Sequence, residues 1–183
     1  YYHARMFNNA HNTTYHTGGD GLGLFSASHT LAAVPGTTWS NYPSATDLSW
    51  SAIETALIAF RSMVDDNNML ISMEPKTLLI PPALFGDAQE ILGSTQKPYT
   101  ADNETNWVKG KLDIVVWPHL TDTNSWFILS DKADGAPISF NRVPMEYDND
   151  GDFDTKDLKT SCYTRFSQGF VDPRFCYGSV GSS

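Results

Sequence analysis

The densest cluster of chemistry-bearing side chains is Glu146–Asp157, which reads EYDNDGDFDTKD. Counted from Glu146, acids fall at the first, third, fifth, seventh, ninth and twelfth positions, with Gly151 sixth. That spacing is close to a twelve-residue calcium loop. Two features argue against it. Glu146 stands where such a loop has Asp, and Asp157 is too short to copy the bidentate grip of a terminal Glu. No flanking helix is visible either, since Pro144 precedes the stretch and β-like sequence follows. The expectation is a solvated acidic hairpin with no metal and no cofactor. Glu146, Asp148, Asp150, Asp152 and Asp157 remain the residues that would hold calcium if any did.

Asp20, Ser26 and His29 have the residue types of a nucleophile triad. Three members within one short loop rarely converge, and no glycine pair flanks Ser26 as in a nucleophile elbow. A capped turn with a packed imidazole is the expectation, and no catalytic residue is assigned. His3, His11, His16, His29 and His119 lack the HExxH or paired-cysteine context of a metal site. Gly19, Gly21 and Gly23 form G-x-G-x-G with no strand before them, which is not a dinucleotide fingerprint. Residues 12–14 and 103–105 are formal glycosylation sequons, meaningful only in a secreted protein. Cys162 and Cys176 are too few for a disulfide framework and are expected to be reduced, mostly buried thiols.

The elements that would position these residues are organised around Met69–Ser94. Thr77–Ile80 (TLLI) reads as a strand buried on both faces. Pro81 and Pro82 end it, and Pro82 suits the first position of a helix. Leu84, Phe85, Ala88, Ile91 and Leu92 then recur at helical spacing, with Gly93 placed to cap the C-terminus. A second helix is predicted over Trp50–Val64, with Ser51 and Glu54 as a capping box and Ile53, Leu57, Phe60 and Val64 as its apolar stripe. Tyr1–Asn12 reads as the tail of a helix whose apolar residues lack a visible partner, so it is expected to fray. Short strands are predicted at Leu24–Ser28, Lys111–Trp117, Trp126–Ser130 and Pro137–Val143, with broken β character over Leu158–Val180. Leu31–Thr46 reads as a surface excursion anchored by Trp39 and Tyr42, and Thr95–Lys109 as a long polar loop. The sum is an α+β pattern with helices on a mostly antiparallel sheet.

At 183 residues, 40% of them hydrophobic, the chain can bury a real core. No apolar run approaches the roughly 20 residues of a membrane span, and the opening residues do not read as a signal peptide. A net charge of −9 opposes a grip on nucleic acid, which needs clustered Lys and Arg.

Several blocks in fixed order carry a resemblance. They are DGLGLFSASH at Asp20–His29, PKTLLIPPALFGDAQEILGS at Pro75–Ser94, and GKLDIVVWPHL at Gly110–Leu120. SWFILSD at Ser125–Asp131 and GFVDPRF at Gly169–Phe175 follow. Together they resemble the major capsid proteins of tailed bacteriophages, in particular the Mu-like major head subunit group. The resemblance implies the Hong Kong-97-type capsid fold, represented by the axial domain and part of the peripheral domain, with the N-terminal arm and extended loop not visible. It divides the chain into 1–40 (end of the spine helix and peripheral connection), 41–134 (mainly axial domain) and 135–183 (return to the peripheral sheet). The loop Thr95–Lys109 would then lie at a capsomer surface. The implied function is self-assembly into the hexamers and pentamers of an icosahedral shell around double-stranded DNA, enclosed without specific binding. The protein would be a virion component assembled in the host bacterial cytoplasm, with scaffold, portal and decoration proteins as further partners and no membrane. An encapsulin-like compartment shell and a secreted calcium-binding β-rich module are the alternatives, and no enzyme is implied.

Overall fold

The computed structural model describes residues 2–15, 18–100, 104–131, 137–151 and 153–181. The central sheet has four strands in the order β4-β3-β5-β8: Asp113–Val116, Pro75–Ile80, Trp126–Ser130 and Cys176–Ser179. β3 pairs parallel with β4 and antiparallel with β5, so the sheet is mixed. Leu78, Leu79 and Ile80 are all buried. Neighbouring residues of a strand point to opposite faces, so both faces of β3 are covered, as its continuous apolar run predicts.

After Pro81 the chain makes one 3-10 turn, Pro82–Leu84, and continues as helix α3, Phe85–Gly93, which buries Ala88, Ile91 and Leu92. Gly93 is the last helical residue rather than a left-handed cap, and the chain leaves through Ser94 in an extended conformation. The exposed carbonyls are satisfied from a distance instead. Asn106 Nδ2 donates to Ile91 O at 2.6 Å and Ser94 O at 3.0 Å, and Gly110 N donates to Leu92 O at 3.1 Å. The long loop after α3 is therefore tied down by what it caps. Asn106 and Val108 are buried within it.

Helix α2 spans Trp50–Arg61 and buries Ala52, Ile53, Ala56, Leu57 and Phe60. Its cap is Ser49, whose hydroxyl accepts from the Ala52 N–H at 3.2 Å, and not the predicted Ser51–Glu54 box. Trp50 already has helical geometry, which leaves Ser49 as the residue outside the first turn. The helix also stops short of Val64, whose backbone bridges to Leu70 across a tight turn.

Helix α1, Tyr2–Asn8, corrects another expectation. Ala4, Met6, Phe7 and Ala10 are buried. Phe7 packs on Phe127 at 5.1 Å and on Trp117 at 6.1 Å between ring centroids. The Asn8 amide reaches the same region, donating to His119 O at 3.0 Å and accepting from Thr121 N at 3.1 Å. These partners lie far along the chain, so no local pattern announces them.

Residues 24–28 form no strand. Leu24 and Phe25 are buried where the chain bends, and pairing begins only at β1, His29–Thr30, with β2, Thr38–Trp39. Trp39 and Tyr42 pack against the core, as their size suggests. β6, Ile138–Gly151, and β7, Leu158–Gly169, form a separate two-stranded ribbon. β6 runs past the predicted end at Val143 because Pro144, which lacks a ladder donor, falls within a bulge between Val143 and Glu146. Mixed helices and sheets make the class α+β.

One core cluster takes residues from α1 through β8. β8 is packed so closely that Gly178 has no room for a side chain. A Cβ there would lie 2.5 Å from Phe127 Cδ1, 3.0 Å from Trp126 O and 3.1 Å from Phe25 Cζ. Gly178→Ala should cost about 1–3 kcal/mol through overpacking, read as a lower urea midpoint at unchanged slope. Gly19→Ala, with nothing within 4 Å, is the control that should change little.

Candidate functional site

Asp20 and His29 do meet, with Nδ1 2.6 Å from Asp20 Oδ2. Ser26 does not complete a triad. The other ring nitrogen, Nε2, is 3.2 Å from Asn41 Oδ1, while Ser26 Oγ accepts from the Ser28 N–H. Asn41 is the hub of this network. Its Oδ1 also accepts from Ser26 N at 3.0 Å, and its Nδ2 donates to Leu24 O at 2.8 Å and Pro173 O at 3.1 Å. The donors on Nδ2 fix which amide atom faces His29, so both ring nitrogens meet oxygen acceptors. Asp20 closes its own turn by accepting from Leu22 N, and His29 stacks on Trp39 at 4.6 Å. Burial alone would raise the Asp20 carboxyl, but the His29 bond and the Leu22 N–H outweigh it and hold the carboxyl below its usual range. This pairing therefore stabilises the fold above the ordinary carboxylate range and is lost as pH falls through the lowered value.

Arg174 closes the same region from the C-terminal side. Its Nε donates to Val64 O at 2.8 Å, and its two terminal nitrogens contact Asp172 at 2.9 Å and Asp66 at 2.6 Å. The guanidinium lies over Trp39 at 5.0 Å. A cleft of about 460 Å³ runs between Asp20, Trp39, Asp66, Asp172 and Arg174. Its charges are already paired with one another, so the geometry describes a clasp that ties three distant segments together. Sequence reasoning missed Asn41, Asn106 and Arg174. The only local signal was Asp172–Arg174, where the Asp172 side chain caps the turn by accepting from Arg174 N.

The acidic stretch is mostly strand. Glu146, Asp148 and Asp150 alternate along β6, exposed, opposite Tyr163, Ser161 and Lys159 of β7. Asp152 lies outside the described residues, and Asp157 sits just before β7. A calcium loop curls its ligands around one ion, whereas these three are strung along an extended edge. Among the described residues no three His, Cys, Asp or Glu side chains form a metal-ligating group. His16, Tyr1 and Asn103 also lie outside the described residues, as does the side chain of His3.

Both cysteines are free thiols. Cys176 is buried in β8, where burial pushes its thiol well up. Cys162 is exposed on the ribbon, against the expectation of buried thiols. β-Periodicity alone could not tell a core strand from a projecting one.

His11 carries a pH prediction. It lies between Phe25 at 5.4 Å and Tyr42 at 4.6 Å, with Nε2 buried and without a hydrogen-bond partner. Burial lowers its pKa from 6.5, against the smaller raising effects of the Phe25 backbone and Asp122. As pH falls below 6.5 the unfolded chain takes up a proton that the folded chain resists. Stability is therefore fully present above that pH and declines below it. The melting temperature should fall between about pH 7 and 5, and less steeply in His11→Phe.

Compared with known proteins, residues 7–179 match a family model described as phage capsid protein. No curated protein and no solved structure matches the chain.

Proposed function

The chain belongs to the phage capsid protein family, matched from residue 7 to residue 179, and from that premise we propose that it is the major head subunit of a tailed bacteriophage. In this reading it is a Mu-like subunit with the Hong Kong-97-type fold, forming hexamers and pentamers of an icosahedral shell around double-stranded DNA. The family membership carries the proposal: its members are structural proteins of a shell and virion. Two observations support it. The charged groups that line the cleft are paired to clasp distant segments, as Arg174 is with Asp66 and Asp172. The net charge of −9 suits a wall that encloses DNA without gripping it. No helix among the described residues is long and apolar enough to cross a membrane.

The division into 1–40, 41–134 and 135–183 becomes a division of roles in the shell rather than of cores, since one cluster draws on all three. Assembly in the host cytoplasm and contacts with scaffold, portal and decoration proteins belong to the same proposal. Expression of the gene at full length, followed by sedimentation and negative-stain microscopy, tests it. Closed shells of megadalton mass are expected. A calcium-responsive monomer would overturn the reading in favour of a secreted module.

A further inference from the structure

The β6–β7 ribbon has two unlike faces. Cross-strand partners share a face. Glu146–Tyr163, Asp148–Ser161, Asp150–Lys159 and Val143–Arg165 lie on one side. The alternate pairs Gly151–Leu158, Asn149–Thr160, Tyr147–Cys162 and Asn141–Phe166 lie on the other, and none of these residues is charged. The Thr160 hydroxyl bonds Asn149 Oδ1 at 2.9 Å across that second side, and the Tyr147 hydroxyl reaches Met145 Sδ at 2.8 Å along it. Yet Leu158 is 74% exposed, Tyr147 70% and Met145 58%. Among the described residues the ribbon has no third strand, and although β7 meets α1, a two-stranded ribbon standing mostly alone is marginal in water. Something must cover this one.

We infer that the uncharged face of the β6–β7 ribbon docks against a second copy of this chain. The inference rests on the capsid reading above. Nucleic acid does not fit the face, which offers no cation among its cross-strand pairs, and on the opposite side Lys159 and Arg165 are outnumbered by Glu146, Asp148 and Asp150. An anionic lipid surface would call for basic residues that the pairs on this face do not supply. A second copy fits on charge. Each copy carries −9, so copies repel unless they meet where no acid is buried, and this face provides such a strip. A shell also surrounds every copy with others of its kind.

Cys162 on this face is a native probe, and Cys176 is buried and silent. The test uses particles formed by the full-length chain from a mixture of isotopically light and heavy protein. Cys162 should react with a water-soluble maleimide at least tenfold more slowly in particles than in dissociated subunits. A benzophenone maleimide placed on Cys162 before assembly should give light–heavy cross-links between copies. Thr160→Asp should lower particle yield at least tenfold, while Ser161→Asp, on the charged side, should not. Both variants should melt like the parent as free subunits. Undiminished alkylation in particles, cross-links only to another protein or within one copy, or normal assembly of Thr160→Asp would each overturn the inference while leaving the capsid reading intact. Absence of any particle would overturn both.

Discussion

Replacing Trp126 by alanine is expected to lower the melting temperature by about 10 °C, the largest single effect in the molecule. Trp126 opens β5, next to the central strand, and is fully buried. It packs near Tyr177 of β8, with centroids 6.4 Å apart. Its indole N–H donates to Thr46 O at 2.9 Å, which fastens the segment before α2 to the sheet. Truncation removes the ring from a close-packed site and leaves the Thr46 carbonyl without this donor. Large aromatic-to-alanine changes cost about 3–5 kcal/mol, a large part of the roughly 5–15 kcal/mol that holds a domain together. Trp126→Phe should recover most of the packing but not the hydrogen bond, and fall between. A loss from Trp126→Ala no greater than from Trp107→Ala, where the ring is 40% exposed, would contradict this account.

Asn41→Ala should destabilise by more than about 3 kcal/mol, although only a small polar side chain is removed. Asn41 is fully buried and serves four groups: Ser26 N, His29 Nε2, Leu24 O and Pro173 O. Each buried group left unsatisfied costs about 1–3 kcal/mol, and relaxation keeps the sum from being fully additive. Asn41→Asp is the sharper variant. It keeps acceptors for Ser26 and His29 but turns lone pairs towards the Leu24 and Pro173 carbonyls. It should be at least as damaging as alanine in equilibrium denaturation. Asn149→Ala, on the exposed ribbon, should shift stability by no more than about 0.5 kcal/mol. If Asn41→Asp matched the parent, the network would not be the clasp described above.

The local elements were legible where a single period ran uninterrupted. The apolar run Thr77–Ile80, the Pro81–Pro82 corner and the helical spacing of Ala88, Ile91 and Leu92 each follow from short-range sterics and burial, and each is present. So are the strand at Trp126–Ser130 and the break at Asp172–Pro173. The order of the sequence blocks also points to a phage capsid family, and residues 7–179 match that family.

What the sequence could not announce was any contact closed by residues far apart in the chain. Phe7 finds Phe127 and Trp117 across the whole domain, so an apparently unpartnered helix is part of the core. Asn41, Asn106 and Arg174 are unremarkable polar residues until the fold brings them to orphaned backbone groups and carboxylates. The acids of Glu146–Asp157 matched a ligand spacing by count, but alternation along a strand strings three of them out on one face of a ribbon. Periodicity reports which side of an element is apolar. Only tertiary structure decides whether that side meets the core, as in β3, or stands open, as along β7, because burial depends on what the rest of the chain brings to it.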